Sequence, residues 1–247
     1  MTTPLAPVPE LRRPHELARP VCYAGLRLPR SSSKHSSSTG AHRGSRLARA
    51  FFARPALAVA PDLVGLHVVR NVGGALRIGR IVETEAYMGP EDLAAHSARG
   101  RRTARTEVMF GPPGHAYIYL IYGFWNCLNV VTAPAGVPHA VLIRAVEPIA
   151  GLGAPTWGPG LLCRAMGIDR SLNAVDLRGE LLRIERPRAG RRAARIGADR
   201  RIGVDYAREW AARRWRFFDR DSPFLSTVTP AQRRRAGIAA PAPSFDR

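Results

Sequence analysis

The segment from Leu66 to Gly89, LHVVRNVGGALRIGRIVETEAYMG, constrains the fold more than any other stretch of the chain. Two runs rich in β-branched residues flank Asn71 to Gly74, and residues tolerant of positive φ between two such runs predict a β-hairpin. On the second strand the two-residue period sets Leu76, Ile78 and Val82 on one face. AYIYLIYG and AVLIRAVEP read as two more strands, with Gly123 and Pro148 as their stops, and LLRIERP and WRFFDRDSP as returning strands. Helices frame this set. SRLARAFFARPALAVAPDLVG offers a cap at Ser45, an apolar face through Leu47, Phe51 and Phe52, and a second helix after Pro55, while GPGLLCRAMGI predicts a helix after a Gly-Pro turn. The expected fold class is α+β: a single compact domain around an antiparallel sheet with flanking helices, spanning about residues 45–228.

The ends differ in texture. Residues 1–44 carry several prolines, the run SSSKHSSSTG and scattered arginines with little periodic apolar pattern, which predicts a disordered basic tail. Such a tail could guide the chain along a polyanion, be solvated without a specific role, or reflect a misplaced start codon. Residues 229–247, with their RRR run and AAPAP, are expected to be loose. Lys and Arg total 38 against 19 for Asp and Glu, a formal charge of +19 that favours a polyanionic partner. Nucleic acid is the first candidate and an anionic membrane surface the second, although G+C-rich coding yields the same arginine excess. No apolar run approaches the ~18 residues of a membrane span, so a soluble, cytoplasmic protein is expected. Cys22, Cys127 and Cys163 are far apart and suit free thiols in a reducing compartment. His96, His115 and His139 lack ligand-like spacing with cysteines or carboxylates, so neither a metal nor another cofactor is expected.

Chemistry concentrates in two segments. In RIVETEAYMG the strand period places Glu83, Glu85 and Tyr87 on one face and Val82, Thr84 and Ala86 on the other. Two carboxylates beside an aromatic ring suggest a cleft wall, although spacing alone favours an ordinary solvated strand face paired with arginines. His96 stands alone before an arginine-rich loop, Arg99 to Arg105, that suits phosphate contacts or a plain charged surface. In HAYIYLIYG the alternation sets Tyr117, Tyr119 and Ile121 opposite Ala116, Ile118 and Leu120, with Tyr122 at the turn. The aromatic face can line a pocket that stacks a planar base, and a tyrosine at a turn tip can wedge between base pairs.

Together RIVETEAYMGPEDLAAHSARGRRTART, MFGPPGHAYIYLIYGFWNCLNVV, AVLIRAVEP, GPGLLCRAMGI and RIGVDYAREWA resemble the alkyladenine, or 3-methyladenine, DNA glycosylases, in that family's order across about Leu47 to Ser226. The resemblance implies a curved antiparallel sheet and a monomer that excises alkylated purines from double-stranded DNA, acting on the nucleoid. Carried over by position, it implies that Glu85 is the general base and that Arg144 helps hold the water and an adjacent phosphate. It further implies that Tyr87, His96 and Tyr119 sandwich the flipped base, that Asn129 excludes the amino group of normal guanine, and that Tyr122 fills the gap in the duplex. Arg101, Thr103 and Tyr117 are expected to contact DNA. Leu161 and Arg208 depart from the family, which usually carries lysine and glycine there. The only lysine, Lys34, lies in the tail, so Schiff-base chemistry with strand cleavage is not expected and the abasic product should stay uncut. A general acid for neutral lesions such as hypoxanthine has no certain candidate; Glu83 could serve only if it faces the pocket. The rival readings are a non-catalytic basic nucleic-acid-binding module on the same fold, and hydrolysis of another N-glycoside or of an RNA base.

Overall fold

A computed structural model describes residues 44–188 and 192–238. The expected basic tail, Gly44 excepted, lies outside the described residues together with Lys34, Cys22 and the last residues from 239. In chain order the elements are β1 (Ser45–Arg46), α1 (Arg49–Phe52), α2 (Ala56–Leu63), β2 (His67–Val72), β3 (Ala75–Tyr87), β4 (Ala116–Ile121), β5 (Trp125–Thr132), β6 (His139–Ala150), α3 (Pro159–Met166), β7 (Leu182–Arg186), β8 (Ile196–Asp199), β9 (Arg216–Asp219) and α4 (Pro230–Arg235). The strands form one antiparallel sheet in the order β1-β7-β2-β3-β6-β5-β4, with β9 joining β3 and β8 pairing β9.

The hairpin forms where its turn residues require it. Gly73 and Gly74 both take positive φ, 58° and 92°, as a two-residue primed turn demands, and Val72 pairs with Ala75. β3 is long enough, at 13 residues, to exchange neighbours along one edge. Ala75 to Arg80 pair with β2, whereas Glu83 to Glu85 pair with β9, and β6 follows the opposite edge from Ile78 to Tyr87. The main core lies between this sheet and α2 and α3, where Phe52, Val59, Leu63, Ile81, Ile143, Leu162 and Met166 are buried together. Each such side chain contributes about 1.5–3 kcal/mol of burial. The Thr84 hydroxyl donates to the Ala60 carbonyl at 2.9 Å, fixing which face of β3 meets α2.

Four local expectations are corrected. Ser45 does not cap α1; it pairs with Arg186 in the short β1, and the helix starts after Ala48 without a side-chain cap. Val82 does not share the Thr84 and Ala86 face, because the register shifts between Ile81 and Glu83, a bulge that turns Val82 toward Ala145 and Leu225. Pro148 does not end its strand: it sits inside β6 opposite Gly79, where a second register shift accommodates a residue without an N–H. The segment from Pro230, expected to be loose, forms α4, with Thr229 and Gln232 in a reciprocal capping box and the Arg233 guanidinium donating to the Leu225 carbonyl at 2.7 Å.

A buried ion pair ties the loops to the sheet. Arg201 and Asp92 are both fully buried and share two contacts at 2.5 and 2.9 Å, and Arg201 also donates to the carbonyls of Ala86 and Trp210. Removing one partner of such a pair strands a buried charge at a cost of about 3–5 kcal/mol. Asp92→Ala is therefore expected to lower unfolding stability in urea by about that amount. A double variant with Arg201→Met should recover part of the loss, and an unchanged midpoint for Asp92→Ala would contradict the assignment.

Candidate active site

Two opposed irregularities in the central strand pair build the site. Ile81 faces Val146 and Glu83 faces Ala145, so Val82 is the extra residue on β3; Glu83 and Thr84 then face Ala145 and Ile143, so Arg144 is the extra residue on β6. The second bulge places the guanidinium of Arg144 beside both carboxylates that the strand period had put on one face. Its Nε lies 3.4 Å from Glu83 Oε1 and its Nη1 3.3 Å from Glu85 Oε1. These are ion-pair contacts at long range, and Nε makes no hydrogen bond.

The two carboxylates, both fully buried, are used differently. Glu83 accepts from Arg216 at 3.1 Å and from the backbone N–H and hydroxyl of Ser226 at 2.7 and 2.8 Å. Those partners and Arg144 enclose it away from the cavity, so the possibility that it donates a proton to a departing base is not met. Glu85 accepts the Ile202 backbone N–H at 2.8 Å on one oxygen and the Tyr87 hydroxyl at 2.9 Å on the other. It lies directly behind Tyr87, Arg144 and Ile202, all of which line a cavity of about 650 Å³.

That cavity also receives His96, Tyr117, Tyr119, Tyr122 and Asn129. His96 and Tyr119 meet edge to face with ring centroids 4.5 Å apart, and the Tyr117 hydroxyl lies 2.9 Å from His96 Nδ1. Tyr117, a candidate DNA contact, is only 2% exposed; it lines the cavity and its hydroxyl supports the imidazole. The Asn129 amide donates to the Tyr117 carbonyl at 3.1 Å, which fixes its orientation. Tyr122 stands at the tip of the β4–β5 hairpin, 80% exposed, with φ 54° beside Gly123 at 78°, the pair of positive angles of a primed turn. Arg101 and Thr103 do not line this cavity; they line an adjoining groove that shares His96 and Arg105 with it.

Protonation follows from burial. Desolvation, reinforced by the charge of Glu85, pushes the Tyr87 phenol well above its ordinary value, and desolvation together with Cys127 raises that of Tyr119. Desolvation, and then Arg105 and Arg101, lower His96 to about 4. Burial alone would lower Arg144, but Glu85 and Glu83 outweigh it and keep the guanidinium charged. The pocket thus presents neutral aromatic rings and two guanidinium groups, Arg105 and Arg144, with Glu85 behind Tyr87 and Arg144. Arginines already rest on the two tyrosine rings, Arg201 4.8 Å from Tyr87 and Arg105 5.1 Å from Tyr119, so the rings are oriented before any ligand arrives. Among the described residues no group of three His, Cys, Asp or Glu side chains could hold a metal ion.

Several contributors carry no sequence signature. The Ile202 amide is a main-chain donor, and Arg201 and Asp92 meet across more than a hundred residues. Phe124, 66% exposed next to Tyr122, could have been recognised as a second aromatic at the same tip. Trp125 holds α3 against the hairpin; a Cβ on Gly160 would come within 2.5 Å of its ring, so only glycine fits there.

The family model for methylpurine-DNA glycosylase matches residues 50–223. The Myxococcus xanthus protein named "Putative 3-methyladenine DNA glycosylase" is 51% identical over 191 residues, covering 76% of this chain and 97% of its own. Proteins of the same name from Anaeromyxobacter dehalogenans and Legionella pneumophila are 53% identical over 186 residues and 49% over 181. They cover 75% and 73% of this chain and 88% and 98% of their own lengths.

The state of His96 is open to measurement. Because its folded value, about 4, lies below the ordinary 6.5, the unfolded chain takes up this proton first as pH falls. His96 therefore contributes a loss of stability between pH 6.5 and 4, and none above that range. Heteronuclear NMR should show its ring titrating near 4, and His96→Gln should make the acid limb of the stability curve shallower. A midpoint near 6.5 would contradict the burial argument.

Proposed function

Because the chain belongs to the methylpurine-DNA glycosylase family, and is thus a DNA-repair hydrolase of the 3-methyladenine DNA glycosylase type, we propose that it is monofunctional, with Glu85 activating the attacking water. The observation that carries this reading is the Glu85 carboxylate held by the Ile202 N–H, the Tyr87 hydroxyl and Arg144 immediately behind the cavity wall. A carboxylate has about four acceptor positions, so the two hydrogen bonds lock the group's orientation and leave acceptor capacity for a water proton beside the Arg144 charge. Arg144 lines the cavity and makes only long contacts, which leaves N–H donors for that water or for a phosphate.

Extruding a nucleotide costs on the order of a few kcal/mol, offset by stacking in the pocket and by a side chain that fills the duplex. Tyr122, exposed at the hairpin tip, is suited to the second role, and Tyr87, His96 and Tyr119 to the first. Asn129, fixed by its bond to the strand, suits discrimination against normal guanine. Hydrolysis passes through an oxocarbenium-like sugar, whose positive charge a nearby carboxylate stabilises while it accepts the water's proton.

The protonation states favour cationic lesions. His96 is neutral above about pH 4, the phenols of Tyr87 and Tyr119 are raised, and Glu83 is enclosed, so among these groups none is poised to donate a proton near neutrality. 3-Methyladenine and 7-methylguanine leave without protonation, whereas hypoxanthine and ethenoadenine need it and should be excised more slowly. Schiff-base chemistry has no lysine among the described residues to draw on. Among those residues no helix is long and apolar enough to cross a membrane, and we assign action on DNA as a cytoplasmic monomer.

Glu85→Gln should lose base release from methylated duplex by about 10²–10⁴-fold while still binding the DNA. Unchanged release would remove Glu85 from its role, and no release by the wild type would favour the non-catalytic binding module. The wild-type product should stay intact until alkali or heat is applied; breaks without either would end the monofunctional reading. Competition between methylated DNA and RNA separates the polymer classes.

A further inference from the structure

Beside the base pocket lies a second groove of about 670 Å³, bounded by the loop from Arg99 to Thr106 and the turn Asp205–Ala212. The two cavities share His96, Arg105 and Tyr206, so a strand entering one passes the other. Arg99, Arg101, Arg105 and Arg208 all line the groove, and among the described residues no carboxylate does. The neighbouring Arg102, by contrast, is already paired with Glu107 at 2.6 Å. The acidic residues nearest Arg208 in sequence, Asp205 and Glu209, are exposed and do not line the groove.

Arg208 stands apart by its backbone. Its φ of 52° and ψ of −130° fall in a region that a residue with a Cβ rarely adopts. The turn is anchored on either side of it: Ala207 is buried with Ala94 and Val204, and the Trp210 carbonyl accepts from Arg201 at 3.2 Å. Within the fold nothing offsets this strain, since the exposed side chain of Arg208 has no hydrogen bond, ion pair or ring contact among the described residues. A strained position that presents an unpaired guanidinium to a cationic groove implies a benefit outside the folded chain.

We propose that Arg208 is a DNA-phosphate ligand, gripping the backbone beside the extruded nucleotide together with Arg101 and Arg105. The proposal rests on the DNA reading above and adds a contact made by this side chain to the sugar-phosphate strand rather than to a base. Such a contact positions without reading sequence, so it should act equally on damaged and undamaged duplex.

Arg208→Gly separates strain from binding, because glycine accepts the same backbone angles. The variant should melt higher than the wild type and bind both duplexes several-fold more weakly. The slope of log affinity against log salt should shrink by about 0.9, the value for one lost phosphate contact. Arg208→Lys, which keeps the charge, should retain most of the salt slope. Wild-type affinity and slope in the glycine variant would overturn the proposal, as would a lower melting temperature, which would make Arg208 a structural residue. If the wild type releases no base, the glycosylase reading fails, yet the salt slope on undamaged duplex still decides the role of Arg208.

Discussion

Four buried charges, Glu83, Glu85, Arg144 and Arg216, set the terms for the rest of the molecule. Each would cost several kcal/mol alone in the interior, so the chain must bring all four together or lose the fold. They come from three strands, β3, β6 and β9, and their remaining bonds reach the loops that carry Ser226 and Ile202. A one-residue slip of β3 against β6 would turn both carboxylates into the apolar layer against α2. The bulges at Val82 and Arg144 thus fix the register by the need to pair charge, and the geometry of the candidate site inherits that precision.

The same cluster explains how two identical residues on one strand face serve different ends. Glu83 receives three short hydrogen bonds, two of them from Ser226, and anchors the β9 side of the sheet. Glu85, two residues on, is equally buried, but it bonds to Tyr87 and lies against Arg144, both of which line the cavity. Around it, burial keeps the tyrosines and His96 neutral, while Arg144 and Arg105 bring positive charge to the cavity wall. In the proposed reaction the protein supplies one base, fixed rings and no acid, a set matched to a leaving group that already carries its charge.

Much of this was legible in the sequence. Period two put Glu83, Glu85 and Tyr87 together, the alternation of HAYIYLIYG put Tyr117 and Tyr119 on the pocket side, and Gly73–Gly74 marked the hairpin. The failures have physical causes. A bulge has no compositional mark, so Val82 was assigned to the wrong face and the re-aiming of Arg144 was invisible to strand periodicity. Main-chain donors such as Ile202 are equally silent, and the Arg201–Asp92 pair depends on tertiary approach across 109 residues. Composition read α4 as a loose arginine-rich end, although the spacing of Thr229 and Gln232 is that of a capping box.

Backbone strain follows a division between interior and rim. Among the described residues, five other than glycine have positive φ: Arg99, Tyr122, Ala133, Ala174 and Arg208. The two alanines are tied into the fold by their own backbone, Ala133 donating to the carbonyls of Phe52 and Arg54 and Ala174 to that of Ala116. Their strain is offset locally by hydrogen bonds. The other three carry large exposed side chains, and all three line the base pocket or the groove beside it. A left-handed conformation turns a side chain outward from a tight turn, which a wedge or a phosphate ligand requires and a core residue does not.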